Sequence, residues 1–225
     1  MKACSLFKLL AVALSAALLS ACATPPKYDY SAFKESRPKS ILVLPPLNES
    51  PEVDAPYGVL SQVTMPLAES GYYVLPVTLV SETFRQNGLT SAADIQDLSI
   101  AKLYEIFGAD AALYIDIKKY GTSFQLVASD TRVTADGRLV DLKTGATLWT
   151  GTATASSRES DNNSGGGPIG WLVKAIITQI IDTVSDRSYS IAGIADQRLL
   201  SAGRPNGILY GPRSPMYMKD GSPTP

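Results

Sequence analysis

The chain has 225 residues, 45% of them hydrophobic and 18% charged, which excludes an intrinsically disordered polypeptide and supplies enough apolar side chains for one ordinary core or two small ones. It contains no histidine, which excludes Ser-His-Asp and Cys-His catalysis and imidazole-ligated metal centres. Twenty Lys and Arg stand against 21 Asp and Glu, and without a basic excess the chain reads as no binder of nucleic acid.

Lys2 and Lys8 give the start a small positive charge, and residues 9–19 follow as an apolar run broken only by Ser15. A helix needs about 20 residues to cross a ~30 Å hydrocarbon core. This run is shorter and has the proportions of a signal-peptide apolar region; no later stretch is long and apolar enough to span. It ends in Leu19-Ser20-Ala21-Cys22, which resembles the lipobox of bacterial lipoproteins. There, small residues admit the extended chain to a peptidase and the cysteine thiol takes a diacylglyceryl group. Residues 1–21 are therefore expected to leave as a lipoprotein signal peptide, with Cys22 as the lipidation site and the membrane reached through that anchor. Ala23 follows, where an aspartate would imply retention at the inner membrane. The resemblance thus implies the outer membrane and its periplasmic side, with exposure at the cell surface left open. Cys4 departs with the leader and Cys22 becomes a thioether, so no thiol remains for a disulfide, a nucleophile or a metal. Loss of 21 residues leaves 204, with 18 basic against 21 acidic side chains.

Residues 22–39 read as a lipidated N-terminus and tether. Thr24-Pro25-Pro26 is stiff, Lys34-Glu35-Ser36-Arg37-Pro38 is polar, and the segment reaches at most ~55 Å when fully extended. Residues 40–203 read as the folded domain. Ile41-Leu42-Val43-Leu44 is a short buried strand stopped by Pro45-Pro46. Val59, Leu60, Val63 and Leu67 repeat at helical spacing. Pro66 either kinks this helix or sits in the first turn of a new one, and Gly71 closes it as a left-handed cap. Residues 72–75 form a second strand ended by Pro76. Residues 77–86 form a helix stopped by Asn87-Gly88, and residues 99–107 another, from a Ser99 cap to Gly108.

Leu113, Ile115 and Ile117 then alternate with Tyr114, Asp116 and Lys118, a strand with one buried face. Residues 124–135, 138–142 and 146–155 are further strands, with hairpin turns at Asp136-Gly137 and at Asp141-Leu142-Lys143-Thr144-Gly145, an antiparallel meander. Residues 156–167 form a polar, glycine-rich loop. Pro168 opens a helix whose stripe includes Ile169, Leu172, Val173 and Ile176. Residues 189–200 form a last helix, and residues 204–225, rich in Pro, Gly and Tyr, an irregular C-terminal tail. The order β-α-β-α-α-β-β-β-β-α plus a C-terminal extension predicts an α/β (mixed α+β) fold, a single mixed sheet covered by helices.

Carboxylate-only chemistry is the catalytic option that survives the lack of histidine. Its candidates are Glu69, Glu105, Asp110 and Asp116, but nothing in their spacing pairs them. Asp110 follows a helix end and Asp116 lies on the wet side of a strand. Gly165-Gly166-Gly167 lacks the Lys and Ser/Thr that a phosphate loop requires. No catalytic residue, cofactor or metal site is expected, and the chain reads as a non-enzyme. The interface candidates are Trp171, which lies off the apolar stripe and would either cover a sheet edge or contact a partner, and Tyr72-Tyr73, Tyr210 and Tyr217, which combine apolar area with a hydrogen-bonding tip; half-buried tyrosines of no special role account for the latter equally well. Residues 208–218 could strap across the two-fold axis of a homodimer.

Five segments taken together resemble one family: the lipobox at Cys22, Ile41-Leu42-Val43-Leu44-Pro45-Pro46, Pro66-Leu67-Ala68-Glu69-Ser70-Gly71-Tyr72-Tyr73-Val74-Leu75-Pro76, Gly108-Ala109-Asp110-Ala111, and Leu139-Val140-Asp141-Leu142-Lys143-Thr144-Gly145 with Leu148-Trp149. The family is that of bacterial lipoproteins regarded as auxiliary components of an ABC-type transport system, with a meningococcal surface-antigen candidate among them. The resemblance covers nearly all of the mature chain. It implies a fold like the N-terminal domain of the Tol-system propeller protein and, more distantly, like curli-secretion-channel lipoproteins and the lipoprotein activators of peptidoglycan synthases. It also implies a homodimer and carries over no catalytic residue. The function it implies is a non-enzymatic, lipid-anchored periplasmic adaptor in envelope transport or assembly, with a transporter or a channel-forming lipoprotein as partner. The rival expectations are a lipoprotein regulator of peptidoglycan synthesis, for which the tether is short, and a carboxylate-based glycan hydrolase.

Overall fold

Four consecutive apolar residues, Ile41 to Leu44, are all fully buried, and the reason sets the architecture. A strand that reads as an unbroken apolar run must be covered on both faces. In the computed structural model, which describes residues 28–124, 129–160 and 187–220, this strand is β1 (Ser40–Val43). Ile41 and Val43 face one core and Leu42 and Leu44 the other. Burial of each such side chain contributes ~1.5–3 kcal/mol.

The chain runs α1 (Ser31–Ser36), β1, β2 (Leu47–Asn48), α2 (Ala55–Leu60), α3 (Thr64–Glu69), β3 (Tyr73–Val74), α4 (Val77–Gln86), α5 (Ala92–Gln96) and α6 (Ile100–Phe107). Three long strands follow, β4 (Ala111–Phe124), β5 (Ser129–Asp141) and β6 (Thr147–Ser156), then a 3-10 turn (Ser157–Ser160) and α7 (Arg187–Leu200). The sheet has six strands in the order β3-β1-β4-β5-β6, with β2 also on β4. β1 is parallel to β3 and β4, whereas β4, β5 and β6 are antiparallel. It is one mixed, open sheet flanked by helices, as the alternation of elements predicts. One core joins β1, β4, β5 and β6 to α2, α3 and α7. The second lies under α4, α5 and α6, through Val80, Phe84, Ile95 and Leu103.

Local signals account for the helix ends. Ser99 Oγ accepts from Lys102 N, and Gly108 takes a left-handed conformation at the other end of α6, as a Ser cap and a glycine stop require. Pro66 lies in the first turn of α3, where its missing N–H removes no helical bond.

Asp136-Gly137 is not a turn. Both residues lie inside β5, where Asp136 faces Asp116 and Thr152, and Gly137 faces Ile115 and Gly151. The two strands expected at 124–135 and 138–142 are therefore one over residues 129–141. Gly137 serves packing, since a Cβ there would meet the Trp149 ring at 3.2 Å and Leu199 at 3.3 Å. The second expected turn is present. Asp141 Oδ1 accepts from Lys143 N (2.8 Å) and Thr144 N (2.7 Å), and Gly145 has φ +79. The helix expected after Pro168, and Trp171 with it, lie outside the described residues.

The expected tether is shorter than residues 22–39. Its second half folds as α1 with Phe33 only 4% exposed. The Tyr28 hydroxyl oxygen accepts the Thr150 N–H (2.8 Å), while the Tyr30 hydroxyl donates to Gly207 O and Ser36 Oγ donates to Asp141. The three aromatic rings of Tyr28, Tyr30 and Phe33 pack in sequence, and their apolar area holds this segment on the domain.

Candidate functional site

The carboxylates singled out from the sequence do not converge. Glu69 is exposed at the end of α3, and Glu105 on α6 pairs with Lys102 at 3.0 Å. Asp110 is a structural clamp. Its oxygens accept from Lys39 N, Ser40 N, Ser40 Oγ and Lys143 Nζ, tying the start of β1 to that of β4. Desolvation raises its pKa, but these bonds outweigh it and hold the carboxyl below its ordinary value. Asp116 lies directly opposite Asp136 on the open face of the sheet, a pairing hidden as long as Asp136 is read as a turn residue. Each of the two has a partner: Lys118 approaches Asp116 at 3.9 Å, and Thr152 Oγ1 donates to Asp136 at 2.6 Å. Among the described residues no group of three His, Cys, Asp or Glu is placed to hold a metal ion. Nor is any helix among them long and apolar enough to cross a membrane.

The tyrosines of the tail do converge. Residues 201–220 carry no regular structure beyond turns, yet Ile208 and Leu209 are buried in the main core. The tail is seated on the turn between α3 and β3. Gly211 N donates to Ser70 O (2.8 Å) and Arg213 N to Gly71 O (3.1 Å). Gly71 has φ +98, and a Cβ there would stand 2.5 Å from Ser214 N, so only glycine fits both the backbone and the crossing chain. The Tyr72 hydroxyl donates to Leu209 O (2.5 Å), and burial pushes its pKa upward. Trp149 Nε1 donates to Asn206 O (3.0 Å) from beneath.

Between the tail and α1 lies a hollow of about 280 Å³, lined chiefly by Phe33, Tyr72, Leu209, Tyr210, Tyr217 and Met218. Arg37 and Asp220 stand at its rim. Asp220 accepts from Tyr210 N at 2.6 Å, which shapes the end of the tail around the opening. Tyr30 lies close by, and burial, followed by the nearby Tyr28 and Asp220, pushes its pKa up to about 12. The hollow offers an apolar floor, phenol tips, the cationic side chains of Lys34 and Arg37 and the Asp220 carboxylate, a lining that suits an apolar side chain of a protein partner.

Tyr210 and Tyr217 are therefore brought together, whereas Trp171 and Cys22 lie outside the described residues. Tyr72, also singled out from the sequence, joins them in the hollow, whereas Phe33 was missed as a site residue. Phe33 sits in a stretch whose charged neighbours masked it, though the spacing of Tyr28, Tyr30 and Phe33 was an available signal.

Comparison with known proteins agrees with these segments. The family described as "Putative lipoprotein GNA1162-like" matches residues 28–213. "Putative lipoprotein NMB1124/NMB1162" of Neisseria meningitidis serogroup B (strain ATCC BAA-335 / MC58) is 52% identical over 209 residues, 92% of this chain and 96% of the relative. The crystal structure of lipoprotein GNA1162 from Neisseria meningitidis is 51% identical, with a TM-score of 0.53, and the match covers 65% of this chain and all of that one. The C-terminal domain of LpoB from Salmonella enterica is 18% identical, with a TM-score of 0.38, over 52% of this chain and 82% of that one. With its family match over most of its length and a relative at this identity, the chain belongs to the GNA1162-like lipoprotein family.

Proposed function

We propose that this protein is a non-enzymatic adaptor, lipid-anchored through Cys22 to the periplasmic side of the outer membrane, that works through protein contacts as an auxiliary of an ABC-type transport system. Membership of a lipoprotein family supports the anchor. The observation that carries the adaptor reading is the packing of the segment nearest the anchor against the aromatic hollow of the tail. Tyr28 already belongs to the folded body, so only six residue steps separate it from Cys22, a reach of at most ~20 Å. A body so closely tethered meets partners at the membrane surface, and the hollow opens beside the segment that leads there.

Photo-crosslinking from position 218 in cells at native expression tests this. The expected result is capture of an envelope protein that disappears when Cys22→Ser releases the chain from the membrane. Recovery of uncrosslinked chain alone, with several crosslinker lengths, overturns the proposal. A deletion strain with altered wall synthesis and intact transport would favour a regulator of peptidoglycan synthesis, a role that so short a tether serves poorly.

A further inference from the structure

Strand β6 ends the sheet among the described residues, so half of its main-chain groups face away from β5. Two bonds identify which. Thr150 sends its N–H outward to the Tyr28 hydroxyl (2.8 Å), and Thr154 O accepts from Arg198 Nη1 (2.6 Å). Along an antiparallel strand the outward direction recurs at every second residue. Thr152, midway between them, therefore also points its N–H and C=O away from β5, and no described group bonds to either. With the Thr150 carbonyl and the Thr154 N–H they form a row of four main-chain groups at strand spacing that no described side chain or strand engages.

Tyr28 and Arg198 cap the two ends of this stretch and the register shifts at Leu148, but the strand between them has no protection of its own among the described residues. Residues 147–156 contain no charge and no proline, and their pairing with β5 is regular from Trp149 to Ser156. Natural sheets blunt exposed edges with such residues or with bulges.

A groove of about 470 Å³ runs along this edge, with Thr150, Thr152, Thr154, Arg198, Arg204 and Gly207 among its walls. Arg198 is already committed to Glu159. Arg204 is half-buried, and no hydrogen bond or ion pair among the described residues engages its guanidinium. A partly desolvated guanidinium with five donors is matched by a carboxylate.

We propose that the β6 edge docks an extended peptide segment of a partner protein, which adds as a further strand along residues 150–154 and sets an acidic side chain against Arg204. Main-chain bonds supply affinity in this mode of recognition and the side-chain pocket supplies selectivity. A second copy of β6 brings no carboxylate to Arg204, since residues 147–156 contain none, so charge complementarity favours a foreign strand. The inference takes its partner from the adaptor reading, but its geometry does not depend on the lipid anchor or on the hollow of the tail.

The test uses the full chain purified in detergent and a capped eight-residue peptide of alternating valine and threonine with one central glutamate, alongside the same peptide with lysine in that place. The glutamate peptide is expected to slow amide exchange at Thr152 at least tenfold and to bind roughly tenfold tighter than the lysine peptide. Arg204→Gln removes that preference. Thr152→Pro deletes the outward donor, a change that edge strands tolerate, and abolishes binding, whereas Thr152→Val, which removes only the hydroxyl bond to Asp136, leaves binding intact. Unchanged exchange at Thr152, equal binding of the two peptides, or full binding by Thr152→Pro overturns the proposal. Break-up of a dimer by Thr152→Pro would assign the edge to a second copy and overturn it as well. If that variant fails to fold, the peptide pair and Arg204→Gln decide alone. Crosslinks from position 218 that persist in Thr152→Pro cells would leave the adaptor reading standing while the edge proposal falls.

Discussion

Asp196 on α7 is 1% exposed, and neither of its carboxylate oxygens has a hydrogen-bond partner among the described residues. Burial penalises its charged form and pushes its pKa well above the ordinary value, so the folded protein holds a proton here that the unfolded chain releases. Stability from this site is fullest below the ordinary carboxylate pKa and falls as pH rises toward the raised one. Asp196→Leu should stabilise the protein by about 1–3 kcal/mol, the cost of an unsatisfied buried polar group, and should flatten the pH dependence. Urea unfolding of both proteins at pH 5 and pH 8 checks this; a less stable Asp196→Leu at pH 8 would show that the carboxyl has a compensating role. Nothing in the sequence marks this residue. It falls on the buried side of α7 between Ala192 and Leu200, and an aspartate at such a position is normally read as a solvated one.

At the level of elements, the docked tail depends on the turn after α3. Gly71→Ala is expected to destabilise the protein by at least ~1 kcal/mol, because the residue has φ +98 and its new methyl would meet Ser214 and Gly211. The tail should loosen with it, so hydrogen exchange over residues 208–218 should quicken more than exchange in β4. Uniform quickening would mean that the tail is no separate unit.

The elements also show what a one-dimensional reading can recover. Ile41 to Leu44 was legible because burial on both faces leaves an uninterrupted apolar run, and α6 because Ser99 and Gly108 bracket it. Asp136-Gly137 misled because its turn signal is local, whereas the pairing with Asp116 and Thr152 and the room needed by Trp149 come from distant residues. The hollow was legible only in part. Tyr72, Tyr210 and Tyr217 stood out by residue type, but their companion Phe33 lies more than 170 residues from Tyr210 in the chain, and no spacing rule joins them.

For the whole molecule, the family resemblance implies a homodimer, and the tail is the expected strap. Ile208 and Leu209 are anchored in their own core, so removing residues 208–218 would damage the fold along with any interface. Exposed Met218 and half-buried Tyr217 offer a cleaner test. If the strap bridges two copies, Tyr217→Ser with Met218→Asp should shift the light-scattering mass from dimer to monomer while the melting temperature stays within a few degrees. An unchanged mass would remove the strap from the account.

The two extremities of the folded body meet. Tyr30 is bonded to Gly207, and Phe33 shares a hollow with Asp220. With the proposed anchor at Cys22, anything grafted behind Asp220, such as a fluorescent reporter or an affinity tag, would emerge beside the stretch that leads to it and would be squeezed against the bilayer. Labels for localisation work are better inserted at Gly88, whose surroundings are open.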